Sequence, residues 1–138
     1  MSEHNVETQW NGKMNFKSSV DDFDIQIDAD ESVGGENKGP RPKKLMLTAL
    51  AGCTGMDVIS ILDKMKIKPD DFRINITGKV NEEHPKKYNE ITIIYKFKGN
   101  NLDENKINKA INLSIDKYCG VIAVYKESMK INTKLEIN

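Results

Sequence analysis

The chain has 138 residues, and its 21 lysines and arginines balance 21 aspartates and glutamates to a formal net charge of zero. Phosphate binding favours a basic surplus, so this balance excludes nucleic acid as the expected partner. With 38% hydrophobic and 30% charged residues, the composition is that of an ordinary folded domain, expected as one unit over residues 1–138.

The first elements read as β. VETQW and KMNFKSSV flank Asn11-Gly12, a hairpin signal because both turn positions tolerate positive φ. In FDIQID, Phe23, Ile25 and Ile27 alternate with polar residues and are expected to point inward. Residues 29–42 collect Gly34, Gly35, Gly39, Pro40 and Pro42 and read as a loop ending at a helix start.

A helical pattern follows over residues 43–66. One stripe holds Met46, Ala49, Leu50, Cys53 and Met56, and another holds Leu47, Ala51, Val58, Ile61, Leu62 and Met65. A helix apolar on more than one face needs cover on more than one side. Gly52 and Gly55 cost about 1 kcal/mol each inside a helix, so a close helix crossing is expected there. The apolar run is broken by Thr48, Thr54, Asp57 and Ser60 and is not expected to span a membrane. The start, MSEHNVETQW, lacks the basic and apolar regions of a secretory leader, so a cytoplasmic location with reduced thiols is expected.

Phe72, Ile74, Ile76 and Val80 then alternate along one strand, and Ile91, Ile93, Tyr95 and Phe97 along the next, with a hairpin expected between them. Asp103 suits a helix N-cap, with Leu102 and Ile107 spaced as a hydrophobic staple. Ile107, Ile111, Ile115 and Tyr118 mark a helix stopping near Cys119-Gly120. A short helix (VIAVYKES) and a strand through Ile131, Thr133, Leu135 and Ile137 complete an α+β order.

The chemistry-bearing candidates are few. The two cysteines are Cys53, inside the apolar helix, and Cys119, at a helix–helix junction. Position alone reads Cys53 as a small buried hydrophobe. A reactive thiolate needs a nearby cation or helix terminus, and Arg41, Lys43 and Lys44 are the candidate cations just before the helix. Cys119 has the following segment's free N–H groups to stabilise an anion. Spacing leaves open whether the two meet; a disulfide needs their Cα atoms within about 7 Å. His4 and His84 are remote and no zinc-type spacing occurs, so no metal is expected. GGENKGPRPKK lacks the strand–loop–helix context of a phosphate cradle. Asp57 shares the Cys53 helix face; capping a neighbouring element is its favoured role over partnering or opposing a thiolate.

RPKKLMLTALAGCTGMDVISILDKMKI followed by LSIDKYCGVIAVYK resembles the OsmC/Ohr family of thiol-dependent peroxidases, and within it the OsmC-like branch. The N-terminal W…M.F segment and YNEITIIY extend the likeness over nearly the whole chain. The resemblance implies an α+β, OsmC-like fold, forming an intertwined homodimer around two cysteine-bearing helices. It implies that Cys53 attacks an organic hydroperoxide, that Cys119 resolves the sulfenic acid to a disulfide, and that an external dithiol or lipoyl-type reductant reopens it, with no bound cofactor. The family's helix-opening glutamate is replaced here by Lys43 and Lys44, and the first forty residues hold no arginine to pair with it. That departure leaves a second reading, a weakly active or non-catalytic redox-sensing or ligand-binding dimer of the same fold.

Overall fold

The computed structural model describes residues 1–138. They form two compact units, Met1–Met46 and Leu47–Asn138.

The first unit is an antiparallel sheet in the order β1 (Glu7–Trp10), β2 (Phe16–Val20), β3 (Phe23–Ile27). Trp10 pairs with Phe16, so residues 11–15 connect β1 to β2 and the expected hairpin is wider than two residues. Asn11 N–H donates to the Asn15 carbonyl at 2.8 Å, and Gly12 takes φ 96° to make the turn. The tight hairpin is the next one: Val20 pairs with Phe23, and Asp21 and Asp22 both adopt positive φ. This turn twists in the same sense as the strands it joins.

The expected inward set of β3 is corrected. Phe23 is 73% exposed, Ile25 is exposed and only Ile27 is half-buried, while Trp10 on β1 is 62% exposed. Alternation decides which residues share a face, and within this chain those side chains stay open to solvent. The loop after β3 is organised by buried Asp28, whose carboxylate accepts N–H groups of Ala29 (2.7 Å), Lys38 (3.1 Å) and Glu36 (3.4 Å). These donors, Ala29 foremost, hold its carboxyl below the usual range against the opposing effect of burial. A Cβ at Gly35 would overlap the Ala29 carbonyl, so only glycine lets the loop close.

The second unit packs helices on a sheet ordered β4 (Asp71–Val80), β5 (Tyr88–Lys98), β6 (Lys130–Ile137). β4 and β5 form the expected antiparallel hairpin, and β6 runs parallel to β5. The face predicted on β5 is the centre of the core: Ile91, Ile93, Tyr95 and Phe97 are fully buried. Phe72 stacks on Phe97 with ring centroids 4.2 Å apart. Val80 escapes the buried face because the register shifts between Lys79 and Val80.

Helix α1 (Leu45–Lys64) buries Leu50, Thr54, Val58 and Leu62, one residue per turn. Its other face is uncovered within the chain, with Met56 77% exposed. Within this chain no helix crosses at the glycines: a Cβ at Gly52 would meet nothing within 4 Å, and one at Gly55 would meet only Ile74 Cδ1 at 3.0 Å. The segment Pro42–Lys64, with mean hydropathy 1.8, is long and apolar enough to cross a membrane. Its middle, however, carries Thr54 and Asp57, both hydrogen-bonded to side chains of other elements in the same unit.

Helix α2 (Glu104–Leu113) starts as predicted, with Asp103 accepting the Lys106 N–H at 3.2 Å and the staple residues Leu102 and Ile107 in the core. Ile107 and Ile111 are buried, yet Tyr118 is exposed. Between them, residues 114–118 form a wide π turn, and its extra residue takes Tyr118 off the buried stripe. Helix α3 (Gly120–Tyr125) follows.

Candidate redox site

Two elements of the second unit bring the site together. On α1 the four-residue spacing sets Cys53 and Asp57 on one face, beside the buried stripe that holds Thr54. The other side comes from the break after α2. The Cys119 N–H reaches five residues back to the Ser114 carbonyl at 2.8 Å, closing the π turn. Cys119 itself is extended (φ −77°, ψ 103°) and caps α3, its Sγ accepting the Ile122 N–H at 3.4 Å. An uninterrupted helix would have spent that N–H on a carbonyl.

The outcome is a cluster in which Cys53 Sγ, Cys119 Sγ and an Asp57 carboxylate oxygen lie within 4.8 Å of one another. Cys53 is half-buried and Cys119 is 3% exposed; both are free thiols. Burial pushes the Cys119 thiol up to about 11, the Ile122 N–H pulls it back, and the neighbouring Cys53 adds to the rise.

A chain of hydroxyls supports the cluster. Ser114 Oγ donates to Asp57 Oδ2 at 3.0 Å, Thr54 Oγ1 lies 2.8 Å from Ser114 Oγ, and Tyr95 Oη lies 2.8 Å from Thr54 Oγ1. A carboxylate only accepts, so Ser114 spends its proton on Asp57, Thr54 donates to Ser114, and Tyr95 donates to Thr54. All three dipoles therefore point at Asp57. Burial pushes the Tyr95 phenol up to about 12, keeping it the proton donor at neutral pH. No buried side-chain nitrogen or oxygen lacks a partner.

The sequence-predicted residues divide accordingly. Cys53 and Cys119 are brought together. Asp57 is a hydrogen-bond acceptor for Ser114 rather than a cap, because the π turn delivers a hydroxyl to it. Arg41 sits in the first unit, where its guanidinium donates to Asn37 Oδ1 (2.8 Å) and the Gly39 carbonyl (2.9 Å) and stands 3.5 Å from Asp30. Lys43 and Lys44 lie in the short turn Pro42–Lys44 ahead of α1 and form no ion pair. Sequence reading missed Thr54, Tyr95 and Ser114. Their signal was present: each is a hydroxyl on an otherwise apolar buried stripe, where it needs a partner.

Residues 35–134 match the family described as OsmC-like protein. The chain belongs to the OsmC-like family. Protein YhfA of Escherichia coli K12 is 30% identical over 101 residues, covering 73% of this chain and 75% of its own length. A solved protein from Aquifex aeolicus VF5 superposes with a TM-score of 0.88 at 33% identity, covering 100% of this chain and 98% of that one. An organic hydroperoxide resistance protein of Legionella pneumophila shares the fold at a TM-score of 0.72 and 10% identity, over 99% of this chain and 98% of its own. The OsmC-like match spans both cysteines, the π turn and the hydroxyl chain. The predicted α+β OsmC-like fold is therefore present in this chain.

Proposed function

We propose that this OsmC-like protein is a thiol peroxidase that reduces organic hydroperoxides through Cys53 and Cys119. The observation that carries the reading is the meeting of the two thiols within 4.8 Å, delivered by separate elements far apart in the chain. The Cys53 thiolate attacks the terminal oxygen of the hydroperoxide; the O–O bond breaks, an alcohol leaves after taking a proton, and Cys53 becomes a sulfenic acid. The Cys119 sulfur then attacks the Cys53 sulfur, the S–S bond forms and water departs. The two thiols lose two electrons and the peroxide gains them. An external dithiol, of which a lipoyl group is one kind, returns the electrons by exchange and restores both thiols.

The half-buried Cys53 receives the substrate, and the buried Cys119, held by the π turn, is the resolving thiol. Ser114 and Thr54 act as positioning residues, tying the turn that carries Cys119 to the helix that carries Cys53. The protein is also proposed to work as a homodimer, a second copy covering the open faces of α1 and of the first sheet. Met56 on α1, and Phe23 and Trp10 on the first sheet, support this, each a large apolar side chain left exposed within its own unit. Consumption of an alkyl hydroperoxide in the presence of dithiothreitol tests the activity. Wild type is expected to consume it and Cys53→Ser to fall to the uncatalysed background; equal rates for the two would defeat the reading.

A second reading, a redox-sensing dimer with little turnover, rests on Asp57. A carboxylate rather than a cation stands beside the two thiols, and Arg41 is bound within its own loop. A stoichiometric disulfide without repeated turnover in excess dithiol would mark this case.

A further inference from the structure

Local spacing in the sequence offers no metal site, but tertiary structure assembles a donor set that spacing conceals. Cys53 Sγ, Cys119 Sγ and Asp57 converge within 4.8 Å, two soft sulfurs and one oxygen on two rigid elements. The groups bonded to these donors include Ser114 and the backbone N–H groups of Ile122 and Val121, extended by Thr54 and Tyr95, none of them cationic. Lys64 lines a small cavity of about 130 Å³ beside Asp57, with Ser60, Ile61 and Tyr118, and forms no ion pair with the carboxylate. Two thiolates and a carboxylate together would carry three negative charges, with Lys64 near the carboxylate but not ion-paired to it. A divalent ion is the charge such a set accepts.

The geometry points to a site for one thiophilic divalent cation, zinc or cadmium, held in the reduced protein by Cys53 Sγ, Cys119 Sγ and one oxygen of Asp57. Tetrahedral zinc takes sulfur at about 2.3 Å and carboxylate oxygen at about 2.0–2.2 Å, which puts donors less than 4 Å apart. The present spacing of up to 4.8 Å is somewhat wider, so binding would draw the three donors together. Ser114 orients the Asp57 ligand from behind, as an outer partner does in known sites. The small cavity lined by Asp57, Ser60, Ile61, Lys64 and Tyr118 opens the carboxylate side of the cluster. Binding replaces two S–H protons by the ion, so two protons are released and no electrons move. Forming the Cys53–Cys119 disulfide removes both thiolate ligands and expels the ion, and occupancy in turn masks both thiols from oxidation. This inference is independent of the peroxidase reading, since it needs the reduced cluster and no turnover.

Cobalt(II) titration of the reduced full-length chain without oxygen reads the site directly through thiolate-to-metal charge-transfer absorption. One equivalent per chain is expected, displaced by an equivalent of zinc, and no band is expected after diamide has closed the disulfide, verified by mass. Asp57→Asn keeps an acceptor for Ser114 and should weaken the apparent affinity at least about tenfold with an unchanged far-ultraviolet circular dichroism spectrum. Absence of the band in reduced wild type at millimolar cobalt would overturn the site, as would an identical band before and after diamide. An unchanged affinity in folded Asp57→Asn would do the same. Hydroperoxide consumption, assayed separately with a chelator present, reports on the peroxidase reading alone.

Discussion

The segments around Cys53 and Cys119 reach one point by opposite means. Cys53 stands in an unbroken twenty-residue helix, half-buried, its neighbour Asp57 set by helical spacing alone. Cys119 stands where a helix fails: a π turn ends α2, the backbone extends for one residue, and the thiol takes over a capping role at the start of α3. Regular structure presents the first thiol to solvent and a local irregularity buries the second against it. The contrast explains the division of labour in the proposed cycle, with an accessible attacking sulfur and a sheltered resolving one. It also shows why the hydroxyls matter. Tyr95, Thr54 and Ser114 are where the irregular turn is fastened to the regular helix and sheet.

The largest expected effect comes from separating the two thiols chemically. In Cys119→Ser the first attack survives, so one equivalent of hydroperoxide is consumed per chain and a dimedone-reactive sulfenic acid accumulates at Cys53. Steady turnover should drop to background, and a variant that still cycled at the wild-type rate would erase the distinction between the two residues.

Ser114→Ala removes the donor to Asp57 and the acceptor for Thr54 at once. Losing a buried hydrogen-bonded group of this kind costs about 1–3 kcal/mol, measurable as a lowered urea midpoint. Disulfide closure should slow more than the initial peroxide attack, because the turn carrying Cys119 is the part released. Equal slowing of both steps would make Ser114 a general stabiliser rather than a positioning residue.

Alkaline pH probes the burial of Cys119. Its thiol titrates near 11 in the folded chain against an ordinary value of 9.0, so between these the unfolded state gives up its proton and the folded state does not. The unfolded state then binds fewer protons, and stability falls as pH rises from about 9 toward about 11. Below pH 9 this contribution is flat. Cys119→Ser should remove that part of the decline, while Tyr95, raised to about 12 from 10.0 by burial, leaves its own at higher pH. Indistinguishable pH profiles for wild type and variant would contradict the placement of Cys119.

The smallest effect is expected at Arg41. Its half-exposed contacts with Asp30, Asn37 and Gly39 anchor a loop, and exposed ion pairs contribute about 0–1 kcal/mol. Arg41→Ala should change the first-turnover rate by less than about tenfold, or about 1.4 kcal/mol of barrier. A larger loss would restore Arg41 as the activating cation.

Much of the frame was legible in the sequence, and what was not has definite causes. The buried face of β5 followed from alternation alone, as did the Asp103 cap and its staple from residue types at fixed offsets. The same alternation misplaced Phe23 and Ile25, because periodicity assigns residues to a face without saying what covers it. The glycines at 52 and 55 signalled close approach, yet no backbone of this chain approaches them. Tyr118 failed for another reason: one additional residue in a turn resets helical phase, and no residue type in SIDKY announces it. At the site, the two cysteines were evident, whereas their contact with each other and with Asp57 is tertiary information. The hydroxyl chain lay between these extremes, visible as polar residues on apolar stripes but unassigned until the elements met.

The most direct measurement is peptide mass spectrometry of the reduced chain after a brief exposure to one equivalent of cumene hydroperoxide. A single cross-linked species joining the Cys53 and Cys119 peptides, formed in proportion to the peroxide added and cleared by dithiothreitol, is the expected result. Both cysteines recovered unmodified, or Cys53 oxidised to sulfinic acid while Cys119 remains a free thiol, would contradict a redox pair at this site.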